Sequence, residues 1–139
     1  MRRRLMLGLL LALLACSRDT PETRIRQAFA ACVRAVEAGD AAGAMDRLDA
    51  GFAGPEGMNR AGAELYLAAL LRREKVGVTL VADQLAVRDD QAMQNVQLLL
   101  TGRTGSGLLP AEGSRRTLMI RWQCRDGEWK IAEVQEGLQ

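Results

Sequence analysis

The chain contains no histidine, and this absence excludes several classes of catalytic chemistry. Without an imidazole there is no histidine general base, no serine-histidine triad and none of the commonest zinc sites. Aromatic residues are also scarce, at 4%. We therefore expect no metal and no cofactor, and acid-base chemistry would have to come from carboxylates and Tyr66, the single tyrosine.

The chain also lacks a large excess of either positive or negative side chains. The chain has 19 basic and 17 acidic side chains, but Arg2, Arg3 and Arg4 belong to a segment that we expect to be removed, which leaves 16 basic against 17 acidic. A nearly neutral domain lacks the lysine and arginine excess that dominates the binding of phosphate backbones. We therefore expect no nucleic-acid partner.

The amino terminus has the layout of an export signal. Three arginines precede the apolar run Leu5 to Leu14, and small Ala15 stands before Cys16. Ten residues span only about 15 Å as a helix, half of the hydrocarbon thickness, so the run is too short to be a stable transmembrane helix. It is instead expected to be cut off after export.

The residues Leu13, Leu14, Ala15 and Cys16 resemble the lipobox of bacterial lipoproteins. This resemblance implies a signal peptide over 1–15, fatty acylation of Cys16 and a short tether over 16–20, followed by one domain over 21–137. Ser17, where some inner-membrane lipoproteins carry aspartate, implies an outer-membrane location facing the periplasm. An ordinary secretory signal is the alternative.

The first half of the domain predicts three helices. Thr20 and Pro21 mark the start of the first helix and Gly39 its end. Asp40 is expected to cap a shorter helix, and Asn59 a third that runs to about Glu74. The apolar side of the second helix is expected to carry Ala41, Met45, Leu48 and Phe52.

From Val76 onward, alternation and β-branched residues predict strands near 76 to 88, 92 to 103, 115 to 125 and 128 to 136. Asp126-Gly127 is a favoured two-residue hairpin turn, so it fixes the register of the last two strands. Counting back from the turn pairs Arg125 with Glu128, Cys124 with Trp129, Trp122 with Ile131 and Ile120 with Glu133. The expected class is α+β, with three N-terminal helices on a four-stranded, mainly antiparallel sheet.

The order of elements, and the closing run from Arg121 to Val134 with its aromatic, turn and Trp-Lys-Ile-x-x-Val, resemble the nuclear transport factor 2-like superfamily. The resemblance covers nearly all of 20 to 136. It implies the strongly curved cone shared with SnoaL-like and ketosteroid-isomerase-like proteins, and it implies that the chain could form a homodimer. Because that superfamily contains isomerases, dehydratases and non-enzymatic binding domains, the fold alone decides no function.

Active members of the superfamily generally use a carboxylate inside the cone. The resemblance therefore draws attention to two acids on faces that are expected to point inward: Glu133, opposite Ile120, and Asp83, beside Val81 and Leu85. An apolar cavity would raise the pKa of such a carboxylate and allow it to act as a base near neutrality. Solvated acids, and a Tyr66 used only for packing, are the alternatives.

Cys32 and Cys124 both lie on predicted core faces, and an exported domain meets an oxidising compartment. One prediction is therefore a disulfide between Cys32 and Cys124. However, packed layers place the α-carbons about 7 to 8 Å apart, at the limit for a bridge, so buried free thiols are the alternative.

Three functions stay open. The favoured one is a membrane-anchored, non-enzymatic binding domain for a small apolar ligand in the cone or for an envelope protein on the outer sheet face. The second is an immunity-like or inhibitor lipoprotein of the cell envelope. The third is a carboxylate-dependent isomerase or dehydratase that uses Asp83 or Glu133.

Overall fold

A computed structural model describes residues 19–102 and 114–137. The predicted signal peptide over 1–15, Cys16 and most of the tether lie outside the described residues. None of the described helices has the length and apolar character needed to cross a membrane. The three α-helices are α1 (Pro21–Glu37), α2 (Ala41–Met45) and α3 (Arg60–Arg73).

The helix starts follow the predicted caps. The side chains of Thr20, Asp40 and Asn59 each accept a hydrogen bond from a backbone N–H in the first turn of their helix. Such a cap satisfies one of the amide groups that a helix start leaves without a partner. Beyond α1, Gly39 adopts a positive φ of 75°, which ends the helix where the sequence predicted it.

One curled sheet of five strands follows the order β1-β5-β4-β3-β2. β1 runs parallel to β5, and all other neighbours are antiparallel. The strands are β1 (Leu48–Ala53), β2 (Val76–Arg88), β3 (Gln91–Gly102), β4 (Ser114–Arg125) and β5 (Glu128–Glu136).

The prediction of four strands was wrong because β1 was taken for part of a helix. The second helix ends at Met45, and Leu48 and Phe52 lie buried in a strand instead. Residues four apart share a face both in a helix and in a strand, so their spacing alone does not separate the two. β1 also precedes α3, so the three helices do not all come before the sheet.

The core lies between α1 and the inner face of the sheet, defined on β3 by Ala92, Gln94, Val96 and Leu98. The opposite side, with Gln91, Met93, Asn95 and Gln97, is the outer face. The largest side chains with almost no solvent exposure are Trp122, Ile25, Ile120, Gln94 and Val96. Burying each of the large apolar ones contributes roughly 1.5–3 kcal/mol, which makes this layer the main source of stability.

Candidate functional site

A chain of three side-chain hydrogen bonds crosses the inner face. The indole N–H of Trp122 on β4 donates to Gln94 Oε1 at 2.9 Å. Gln94 Nε2 on β3 donates to Asp83 Oδ1 on β2 at 3.1 Å. Arg26 Nε on α1 completes the chain by donating to Asp83 Oδ2 at 3.2 Å.

Asp83 is the predicted carboxylate that does point inward. It lies opposite Val96, which has no solvent exposure, and residues directly opposite in an antiparallel pair share a face. Its expected neighbour Leu85 lies on the same face, opposite Gln94. Val81 has no partner in β3, because the register shifts between Leu80 and Ala82.

Asp83 links three elements, because its carboxylate on β2 bonds to side chains of α1 and β3. Both carboxylate oxygens accept hydrogen bonds, one from an amide and one from the guanidinium of Arg26, and only 14% of its side chain is exposed. Its neighbours on the inner face, Gln94 and Val96, are both fully buried. A carboxylate engaged in this way links α1 to the sheet, and both of its oxygens already accept a hydrogen bond from a neighbouring side chain.

The register predicted for Glu133 was wrong. Arg121, and not Ile120, lies opposite Glu133, whereas Ile120 faces Val134. The pairing follows the hairpin back to Trp122 and Ile131 and then shifts, which leaves Ala132 as an extra residue. A β-bulge of this kind turns every later side chain to the other face.

Glu133 therefore lies on the outer face, among charged and polar side chains. Its Oε2 accepts from Arg121 at 3.4 Å, and its Oε1 accepts from Gln135. About one third of each ion-pair partner is exposed, so the pair contributes at most about 1 kcal/mol. Glu133 does not line the cone.

Tyr66 is also outside the cone. It lies on α3 with 64% of its surface exposed, beside Leu65 at 72%. It borders an open cleft of about 220 Å³ formed with Ala69, Leu70 and Arg73. The three candidate residues Asp83, Glu133 and Tyr66 thus face three different surfaces, and the structure does not bring them together.

Cys32 and Cys124 are free thiols in this structure, half-buried and packed against the core. Burial raises the pKa of the Cys32 thiol, the positive charge of Arg47 opposes this rise, and Asp46 adds to it. A buried, protonated thiol is a poor nucleophile. Among the residues that the structure describes, no cluster of three or more histidine, cysteine or acidic side chains could hold a metal ion.

The centre of the outer face carries few charges, and the two in its central rows, Arg121 and Glu133, form an ion pair. Register places its side chains in rows across the sheet, and the central rows consist largely of amide, hydroxyl and apolar groups. Met93 and Met119 are 43% and 39% exposed, and a shallow depression of about 240 Å³ lies between them and the Arg121–Glu133 pair. The central rows are Ala82–Gln97–Thr117, Gln84–Asn95–Met119–Gln135 and Ala86–Met93–Arg121–Glu133.

The sequence analysis missed two of these features. Gln94 was not singled out, although a glutamine at an inward position of an alternating strand is the available signal for a buried polar contact. The composition of the centre of the outer face becomes visible only when the strands are aligned, and only the hairpin of β4 and β5 has a turn from which the register was predicted. The outward positions of β2 and β3 could therefore not be combined into one surface.

No protein-family model matches the sequence, and no curated protein matches it. Solved structures do match in fold. A nuclear transport factor 2-like protein from Cytophaga hutchinsonii superposes with a TM-score of 0.70 at 14% identity, over 85% of this chain and 98% of that one. A putative dehydratase of the same family from Streptomyces avermitilis gives 0.70 at 16% identity, over 86% and 97% of the two chains.

A protein of unknown function from Mycobacterium tuberculosis also matches, with a TM-score of 0.69 at 19% identity, over 82% of this chain and 69% of that one. At these identities the likeness concerns the fold alone. It confirms the predicted nuclear transport factor 2-like α+β architecture, in which helices pack on a curled five-stranded sheet.

Proposed function

We propose that the mature chain is a lipid-anchored, non-enzymatic binding domain of the bacterial envelope that binds a protein partner through the outer face of its sheet. The observation that carries this proposal is the composition of the centre of the outer face, where amide, hydroxyl and apolar side chains surround a single ion pair between Arg121 and Glu133. Depletion of charge with exposed methionine is typical of the centre of protein interfaces, and methionine adapts to irregular partner surfaces. The burial of the side chains on the inner face and the two hydrogen bonds accepted by Asp83 support binding at this surface over catalysis in the cone.

The ends of the outer face indicate the chemistry of the partner. Arg115 lies in the row of Thr79 and Leu99 at one end, and Arg88 lies opposite Gln91 at the other. The two ends are eight residues of β3 apart, about 26 Å. A second copy stacked on this face would place arginine against arginine, whereas a partner with acidic residues around an apolar centre would be attracted.

The size of the face predicts the strength of binding. Four strands of this length present a surface of roughly 25 by 20 Å, about 500 Å² per partner. This is at the lower end for specific interfaces, where complexes are transient. We therefore expect a partner that binds and leaves while the lipid keeps the domain at the membrane.

The anchor is tested by Cys16→Ser. Without the acceptor thiol no acyl chains can be attached, and each buried methylene contributes about 0.8 kcal/mol to membrane binding. The variant is expected in the soluble fraction after cell fractionation, whereas Cys124→Ser should stay with the membrane. Retention of Cys16→Ser in the membrane, or a mature protein with an unmodified thiol at Cys16, would contradict the anchor.

The binding face is tested by a photo-cross-linking residue at Asn95, in the centre of the face, in living cells. We expect one discrete adduct that disappears when Met119→Asp is added, because a buried unpaired charge is costly at an interface. The control places the same cross-linker at Ala61, an exposed position of α3, where no adduct is expected. Circular dichroism checks that each variant folds.

Three outcomes count against the proposal. No adduct at Asn95, or an adduct that Met119→Asp leaves unchanged, would remove the face as the binding surface. An adduct that contains only two copies of this chain would show that a second copy, and not another protein, covers the face.

A further inference from the structure

A cleft of about 360 Å³ lies between the first turns of α1 and the turn that joins β4 to β5. Arg24 and Gln27 border it from α1, and Arg47 borders it from the segment before β1. The buried ring of Trp129 forms part of its wall. Two guanidinium groups and one amide thus share a single depression.

In the part of the chain that the structure describes, Arg24 and Arg47 differ from several other arginines in having no carboxylate partner. Arg26, Arg121 and Arg125 each form an ion pair with an acidic side chain. Neither Arg24 nor Arg47 forms an ion pair within residues 19–102 and 114–137. Their charges are therefore available to a ligand, and because Arg47 is only half-exposed, part of its desolvation cost is already met in the fold.

One carboxylate also borders this cleft. Glu128 is 64% exposed in its side chain and forms an ion pair with Lys130, whose Nζ lies 3.5 Å from Glu128 Oε2. The charge of Lys130 offsets that of Glu128, so Arg24 and Arg47 leave an excess of positive charge among the residues that border the cleft. Glu128 nevertheless repels an anion. Replacing it with glutamine is therefore expected to strengthen anion binding, whereas replacing either arginine is expected to weaken it.

We propose that the Arg24–Arg47 cleft binds a phosphate group. Guanidinium groups are planar forks that match phosphate oxygens bidentately, and charge-assisted hydrogen bonds of this type are about twice as strong as neutral ones. The Gln27 amide can donate a further hydrogen bond. The volume exceeds that of a phosphate and leaves room for the group that carries it.

The position of the cleft indicates where the phosphate comes from, and this step rests on the proposed lipid anchor. The backbone N–H of Arg24 donates to the carbonyl of Thr20, one helical turn away. Thr20 is four residues from Cys16, and four residues span at most about 14 Å. The cleft would therefore lie close to the bilayer surface, where lipid headgroups supply phosphate, while a free phosphate compound would fit the same chemistry.

The experiment uses the mature chain with Cys16→Ser, so that binding does not depend on acylation. One arm titrates inorganic phosphate and follows tryptophan fluorescence, and the other measures co-sedimentation with phosphatidylcholine vesicles with and without phosphatidic acid. Arg24→Gln and Arg47→Gln are each expected to weaken binding about tenfold. Arg34→Gln, an equal loss of charge on the exposed last turn of α1, should change it less than about twofold.

Saturable phosphate binding that is lost in both cleft variants supports the proposal, and the same loss with phosphatidic acid vesicles identifies a lipid headgroup as the source. Phosphate binding without vesicle binding identifies a free phosphate compound. Tighter binding by Glu128→Gln gives further support. No binding in either arm, or an equal loss in Arg34→Gln, overturns the proposal, whereas failure of the anchor shows separately in the fractionation of Cys16→Ser.

Discussion

Replacing Gln94 by leucine tests whether the hydrogen-bond chain on the inner face is structural. Leucine has a similar volume but no acceptor, so the indole N–H of Trp122 would be left without a partner at a position with no solvent exposure. An unsatisfied buried donor costs about 1–3 kcal/mol, and Asp83 loses one of its two donors as well. For a domain of this size the expected fall in Tm is about 4 to 12 °C.

The assay is urea unfolding followed by tryptophan fluorescence, with Gln97→Leu as the control. Gln97 lies on the same strand with its side chain on the outer face, so its replacement should change the free energy of unfolding by less than about 0.5 kcal/mol. In a Trp122→Phe background, where no indole N–H exists, Gln94→Leu should cost about 1 kcal/mol less. A Gln94→Leu variant as stable as the parent would refute this reasoning.

Two further predictions concern the same layer. Asp83→Asn keeps an acceptor for Gln94 but loses both the charge and the acceptor oxygen that face Arg26. Because Arg26 is half-exposed and can bond to water instead, the free energy of unfolding measured with urea should fall by no more than about 1 kcal/mol. A loss of several kcal/mol would show that the ion pair itself is essential. Because burial raises the pKa of the Cys32 thiol, iodoacetamide at pH 8 should label Cys32 many times more slowly in the folded chain than in the unfolded chain. If both thiols are free, labelling of the unfolded chain without reductant should modify Cys32 and Cys124 alike. The slow labelling should persist until the pH exceeds the raised pKa, and a mass that shows a linked pair would contradict the free thiols.

The sequence predicted the long antiparallel strands to within about one residue because their signals are local. Alternation defined β2 to β5, and the turn residues Asp126 and Gly127, at φ 52° and 78°, fixed the last hairpin. β1 depends instead on a parallel pairing with β5, about eighty residues further along the chain. Local periodicity carries no information on such a pairing, so this strand was missed.

The prediction of the candidate site was wrong in part for a similar reason. The extra residue Ala132 changes the face of Glu133, and nothing in the local pattern of apolar residues marks the bulge. Asp83 was placed on the correct face, but its partners Arg26 and Gln94 come from two other elements. Whether an inward carboxylate is a base or a connector is decided by those partners, and they become visible only once the chain is folded.

The order of strands has a consequence for biosynthesis. β5 lies between β1 and β4, so the last of the five described strands to be synthesised is also the one that joins β1 to the rest of the sheet. Until residues 128–136 are available, Leu48 and Phe52 have no neighbouring strand to pair with, and contacts between such distant segments form slowly. In a growing chain with this order of strands, β1 can therefore join the sheet only after residues 128–136 have been made.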